Sequence, residues 1–139
     1  MSMSTVPPEL NIPINNEADV VAARQKGREM AAGLGFSSTE QTIVALAISE
    51  IVRNIVSYAQ RGDVRLAVLN EGGRRGILVE ATDQGPGIAD IALAMRDGYS
   101  TARSLGMGLP GAKRVMDDFV LESEPGRGTK VTMKKWLPR

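Results

Sequence analysis

Asp83-Gln84-Gly85-Pro86-Gly87-Ile88 follows directly on the strand-like run Leu78-Val79-Glu80-Ala81-Thr82, and about twenty residues later comes Gly106-Met107-Gly108-Leu109. A carboxylate at a strand end followed by closely spaced glycines suits a purine ring. The acid accepts from the exocyclic amine, and the missing side chains let backbone approach the base. The second glycine pair opens a helical pattern, and the unpaired amides at a helix N-terminus point toward anions such as phosphates. Either motif alone reads equally well as a turn. Their order and spacing together imply ATP, with Asp83, Gly85 and Gly87 near the base and Gly106 and Gly108 facing the phosphates.

Upstream, Ser38 and Gln41 form a capping box that starts a helix with the apolar stripe Val44, Ala47, Ile48, Ile51, Ile55 and Tyr58, running until Arg61-Gly62. Glu50 and Asn54 are four residues apart and therefore share a face of that helix. Asn54 offers the neutral oxygen that Mg²⁺ accepts beside triphosphate oxygens, and Glu50 can orient or deprotonate an attacking hydroxyl. Without the glycine motifs the same pair reads as a solvated helix face.

Working outward, residues 1–8 are a small, polar, Pro-containing tail, and residues 9–139 form one domain. Leu10, Ile12 and Ile14 alternate as a half-buried strand does, and Pro13 places that strand at a sheet edge. Glu17 to Leu34 is amphipathic and is closed by Gly35, with Gly27 as a weak point inside. Its exposed basic positions Arg24, Lys26 and Arg28 are a candidate partner surface or an ordinary solvated face. Asp63–Leu69 and Gly76–Ala81 read as strands joined through Glu71-Gly72-Gly73-Arg74-Arg75.

After the Asp83 loop, Ile91–Met95 is a short helix. Asp97–Leu105 then reads as a mobile lid in which Ser100, Thr101 and Arg103 can reach β- and γ-phosphates. Gly108–Asp118 is a further helix, with Pro110 tolerated in its first turn. Phe119–Ser123 and Thr129–Trp136 close the chain as a hairpin, with Thr129 placed to touch the base. Runs of helices and strands in this order predict an α/β (α+β) two-layer sandwich, a mixed β-sheet covered on one face by helices.

Composition removes several classes of chemistry. The sequence contains no Cys and no His, so thiol nucleophiles, zinc-thiolate sites, Ser-His-Asp triads and a phosphohistidine are all excluded. A formal net charge of +1 gives no footprint for non-specific nucleic-acid binding. No apolar run approaches the roughly 20 residues of a membrane span, which predicts a cytoplasmic protein with neither a membrane nor a nucleic acid as partner. Gly106-Met107-Gly108-Leu109-Pro110-Gly111 formally matches the dinucleotide fingerprint, but a Ser/Thr/Arg loop precedes it where that fingerprint needs a buried strand. No Gly-Lys-Ser/Thr of a Walker loop is present.

Glu50-x-x-x-Asn54, Asp83-x-Gly85-x-Gly87 and Gly106-x-Gly108 resemble the N, G1 and G2 boxes of the GHKL ATPase superfamily, in that family's order, over roughly residues 10–136. Glu17-Ala18-Asp19-Val20-Val21-Ala22-Ala23-Arg24, Ile48-Ser49-Glu50 and Gly108-Leu109-Pro110-Gly111-Ala112-Lys113-Arg114 are most similar to its serine/threonine switch kinases of stressosomes. The resemblance implies a Bergerat-fold kinase that uses Mg-ATP to phosphorylate STAS-domain proteins and then activates a downstream regulator such as a PP2C-type phosphatase. It further implies Glu50 as general base, Asn54 as Mg²⁺ ligand, Asp83 as adenine anchor, and Gly106 with Gly108 as the lid hinge. Only one of the N-box asparagines of sensor histidine kinases is present, and no F box is visible between the glycine motifs. Two alternatives stay open: an anti-sigma factor with the same chemistry that sequesters a sigma factor, and a nucleotide-binding adaptor without turnover.

Overall fold

In the computed structural model, which describes residues 8–85 and 108–138, the elements follow in the order β1 (Glu9–Ile14), α1 (Glu17–Leu34), α2 (Ser38–Tyr58), β2 (Gly62–Glu71), β3 (Arg74–Asp83), α3 (Gly108–Val115), β4 (Asp118–Glu124) and β5 (Gly128–Trp136). The strands form one sheet in the order β1-β2-β3-β5-β4. β1 is an edge strand, as Pro13 requires. The helix expected at Ile91–Met95 and the lid expected at Asp97–Leu105 lie outside the described residues.

Every strand pair in this sheet is antiparallel, which corrects the expectation of a mixed sheet. β3 and β4 do run in the same direction, on either side of α3 in the sequence, but β5 inserts between them and pairs antiparallel with both. Period-two alternation then sorts the side chains. Leu10, Leu66, Val79, Met133 and Phe119 form one cross-strand row, and Ile12, Val64, Ala81, Val131 and Leu121 form the next. Both rows belong to the apolar core shared with Val20, Met30, Val44, Ile48, Ile51 and Ile55 of the helices. The opposite face carries charges that alternate across the strands: Arg65 bonds Glu9 at 3.1 Å and Glu80 at 3.4 Å, and Lys130 lies 3.5 Å from Glu80.

Local chemistry sets the helix ends. α1 begins where Asn16 accepts from the Asp19 amide, and it ends on Gly35 at φ 100°. The capping box of α2 is Ser37 with Glu40, one residue before the expected Ser38 and Gln41. Ser37 Oγ accepts the Glu40 amide at 3.1 Å, and the Glu40 carboxylate accepts the Ser37 amide at 3.1 Å. Gln41 instead donates to the Phe36 carbonyl at 2.9 Å.

α2 stops at Tyr58, where Gln60 takes the left-handed φ of 72°, and not at Arg61-Gly62. Gly62 has another task, because a side chain there would run into the Thr82 carbonyl on the neighbouring strand. β2 and β3 are longer than expected and turn over Gly72-Gly73 alone, both at positive φ. α3 is shorter: the Asp117 amide already donates to the Lys134 carbonyl, and Asp118 starts β4.

Gly27, read from sequence as a weak point, is buried where α1 meets α2, and a Cβ there would overlap the Ile48 Cδ1 methyl. Ile48 is fully buried and has no solvent to move into. Gly27→Val is therefore expected to lower stability by about 1–3 kcal/mol. The midpoint of urea denaturation at unchanged slope measures it.

Candidate ATP site

The apolar face of the sheet ends in a polar row. Continuing the alternation Ile77, Val79, Ala81 brings Asp83 onto the helix-covered face, and Val131 back to Thr129 does the same on β5. The register pairs Gly62 with Asp83, Asp83 with Thr129, and Thr129 with Ser123. Carboxylate and hydroxyls therefore line up at the end of the sheet where β3 leaves it. Ser123 Oγ and Thr129 Oγ1 are 2.9 Å apart, and Ser123 Oγ also donates to the Gly128 carbonyl at 3.1 Å. An open cleft of about 350 Å³ crosses this end of the sheet, lined by Asp83, Ser123 and Thr129 of this row, by Gln84, Arg127 and Gly128, and by Thr82, Glu122 and Lys130 of the opposite, charged face.

Asp83 is held by its own loop. Its Oδ1 accepts the Gly85 amide at 2.9 Å, an Asx-type turn that fixes the carboxylate at the strand end. Two glycines let neighbouring backbone close on this point. A Cβ on Gly85 would stand 2.5 Å from the Ala59 Cβ at the end of α2. Gly128, at φ 96°, packs against the Asp83 carbonyl so closely that any side chain would collide with it. From sequence Gly128 is one glycine between the last two strands, and nothing local to it signals the contact with Asp83.

The C-terminal half of α2 meets the same end of the sheet. From the position a Gly62 Cβ would occupy, Asp83 Cβ and Ile55 Cγ2 are each 3.1 Å away, so the strand end and this turn of α2 are in one place. Asn54 directly precedes Ile55 and is half-buried; Glu50, one turn earlier, is buried with its side chain 1% exposed. Among the described residues the cleft along the Asp83 row does not extend to Glu50 or Asn54.

Gly108 opens α3 as expected, and Leu109 and Ala112 of α3 are buried in the common core. The structure thus brings Asp83, Gly85 and Thr129 to one end of the sheet, and that end meets α2 at Ile55 and Ala59, beside Asn54 in sequence. Gly87, Ser100, Thr101, Arg103 and Gly106 lie outside the described residues.

Arg53 is a functional candidate that the sequence reading passed over. Its guanidinium lies 3.8 Å from Glu50 Oε2 and 3.3 Å from Glu17 Oε2. A charged residue in mid-helix reads from sequence as solvated, and only the packing of α1 on α2 shows otherwise. As for a metal, no cluster of three or more acidic side chains occurs among the described residues. What the site offers is one half-buried amide oxygen, that of Asn54. That donor set fits Mg²⁺ carried by phosphates, since Mg²⁺ retains waters and takes few protein ligands beside phosphate oxygens.

Comparison with known proteins gives the family and the fold. The family model described as the histidine kinase-like ATPase domain matches residues 13–135. Serine/threonine-protein kinase RsbT of Bacillus subtilis is 48% identical over 124 residues, covering 89% of this chain and 93% of that protein. The anti-sigma F factor of Clostridium acetobutylicum is 37% identical over 66% of this chain and 67% of its own length. That of Thermoanaerobacter sp. is 31% identical over 83% of each. A chain from the crystal structure of the SiaB-SiaC complex of Pseudomonas aeruginosa superposes with a TM-score of 0.52 at 15% identity, covering 96% of this chain and 92% of that one, and so shares the fold.

Proposed function

The chain belongs to the histidine kinase-like ATPase domain family, and from that premise we propose that it is an ATP-dependent protein serine/threonine kinase acting as a partner switch. Its substrates in this reading are STAS-domain proteins of a stressosome, and its later target is an output regulator such as a PP2C-type phosphatase. The observation that carries the proposal is the placement of one buried carboxylate, Glu50, a helical turn before a half-buried amide, Asn54, on the helix that packs against the Asp83 loop.

In the proposed reaction Asp83 accepts from the adenine amine, and Gly85 lets the base approach backbone. Thr129 supports the base from the next strand, directly or through a water. The α3 amides beginning at Gly108 face the phosphates. The assignments of Gly87 to the base and of Ser100, Thr101, Arg103 and Gly106 to the phosphates rest on the sequence pattern. Asn54 would hold Mg²⁺, which when bound neutralises phosphate charge. Glu50 takes the proton from the incoming serine or threonine hydroxyl as its oxygen bonds to the γ-phosphorus and the bond to the β-phosphate oxygen of ADP breaks. Alignment and charge neutralisation are most of what phosphoryl transfer needs, so a site without histidine or cysteine suffices.

A cytoplasmic location is part of the proposal; no helix among the described residues is long and apolar enough to cross a membrane. Incubation with Mg-ATP and purified STAS-domain proteins, followed by mass spectrometry of phosphoserine and phosphothreonine, tests the activity. Stoichiometric phosphorylation supports the kinase; no transfer to any such protein overturns it. The likeness to anti-sigma F factors favours a second reading, in which the same chemistry serves a protein that sequesters a sigma factor. Titration against sigma factors separates the two, because only the second predicts tight, nucleotide-dependent binding there.

A further inference from the structure

The guanidinium of Arg53 is divided between two carboxylates of different character. Nε and Nη2 donate to Glu17 Oε2 at 3.4 and 3.3 Å, and Glu17 lies in the first turn of α1 with its side chain 63% exposed. Nη1 points the other way and lies 3.8 Å from Glu50 Oε2. That nitrogen is buried and donates no hydrogen bond. The arginine side chain itself is only 17% exposed.

An exposed ion pair such as Glu17–Arg53 contributes little to stability, since solvent screens it and two long side chains must be ordered. Its effect is geometric. Anchored at Glu17, the planar fork cannot turn freely, and its remaining edge faces the buried Glu50 carboxylate from the α1 side. A carboxylate removed from water also needs compensating charge, and among the described residues Arg53, three residues on along the same helix, contributes to it.

We infer that Arg53 is a positioning residue for phosphoryl transfer: held by Glu17, it fixes the Glu50 carboxylate in the orientation that receives the hydroxyl proton. The inference rests on the assignment of Glu50 as general base. Arg53 touches neither nucleotide nor substrate in this scheme. It acts through Glu50, and its influence is confined to the chemical step.

The test is a double-mutant cycle on phosphorylation of a STAS-domain protein, with ATP affinity by calorimetry and thermal unfolding measured on each variant. Arg53→Met is expected to lower kcat by about 10²-fold, the loss a misplaced reacting group brings, with the KM for ATP and the dissociation constant unchanged. Arg53→Lys, which keeps the charge but loses the fork, is expected to recover part of that loss. Glu17→Gln, at an exposed position that leaves the core intact, is expected to reproduce a several-fold share of it.

In a Glu50→Gln background, Arg53→Met is expected to add nothing, because the group it positions is already gone. Equal losses from Arg53→Met with and without Glu50 overturn the inference, as does a loss that appears only in ATP affinity. Full activity in both Glu17→Gln and Arg53→Lys overturns it even if Arg53→Met does not fold. If Glu50→Gln alone retains full activity, the base assignment fails first and the role of Arg53 falls with it. That result is distinct from an inactive Glu50→Gln beside a fully active Arg53→Met.

Discussion

Glu50→Gln is expected to slow phosphorylation of the protein substrate by about 10²- to 10⁴-fold, the usual worth of a positioned general base, while ATP binding stays intact. The substitution preserves shape and removes only the ability to take a proton. Glu50 is buried on α2 with its side chain 1% exposed. Single-turnover transfer of radiolabelled phosphate, set beside calorimetric ATP binding, separates the two quantities. A rate within a few-fold of the parent would remove Glu50 from the chemistry.

Asp83→Asn is expected to weaken ATP binding by about 10²-fold, with folding preserved. Asp83 Oδ1 accepts the Gly85 amide at 2.9 Å, and the asparagine oxygen can keep that bond. The second carboxylate oxygen then becomes an amide that donates, and it meets the donating amine of adenine. Loss of a charge-assisted hydrogen bond, worth about 1.5–3 kcal/mol, together with an unpaired donor accounts for the size of the effect. Guanine nucleotides supply the control: they present a carbonyl where adenine presents its amine, so the penalty of Asp83→Asn for GTP is expected to be smaller or reversed. Undiminished ATP affinity in the variant would place the base elsewhere.

Much of this architecture is legible because its signals are local. Alternation in Leu10-Ile12-Ile14 and Val64-Leu66-Val68, the Gly35 stop and the pair Gly72-Gly73 each act within a few residues, and the structure uses them as read. Asp83 and Thr129 stand out in the sequence by their places at strand ends beside glycines, and the structure pairs them across β3 and β5. The readings that shifted depend on competition between neighbours or on partners distant in sequence. Ser37-Ser38-Thr39-Glu40-Gln41 offers two capping registers, and the one that lets a charged carboxylate accept the Ser37 amide prevails. The insertion of β5 between β3 and β4 is a tertiary choice with no local signature. Arg53 and Gly128 were passed over on the same ground: their partners Glu17 and Asp83 are remote along the chain.

The pairing of β3 with β5 has a consequence for how the molecule assembles. β2 and β3 pair through the tight Gly72-Gly73 turn, whereas β1 and β2 pair across both intervening helices, with Ile14 opposite Gly62. β5 meets β3 with Thr129 opposite Asp83, a separation in sequence comparable to that between Ile14 and Gly62, so both closures carry a similar entropic penalty and follow the local hairpin. The strand that completes the surroundings of Asp83 thus docks after the hairpin that carries Asp83 has formed. Without β5 the carboxylate lacks its flanking hydroxyls, so under the proposed site assignment ATP favours the finished molecule and, through mass action, draws that stage of folding to completion.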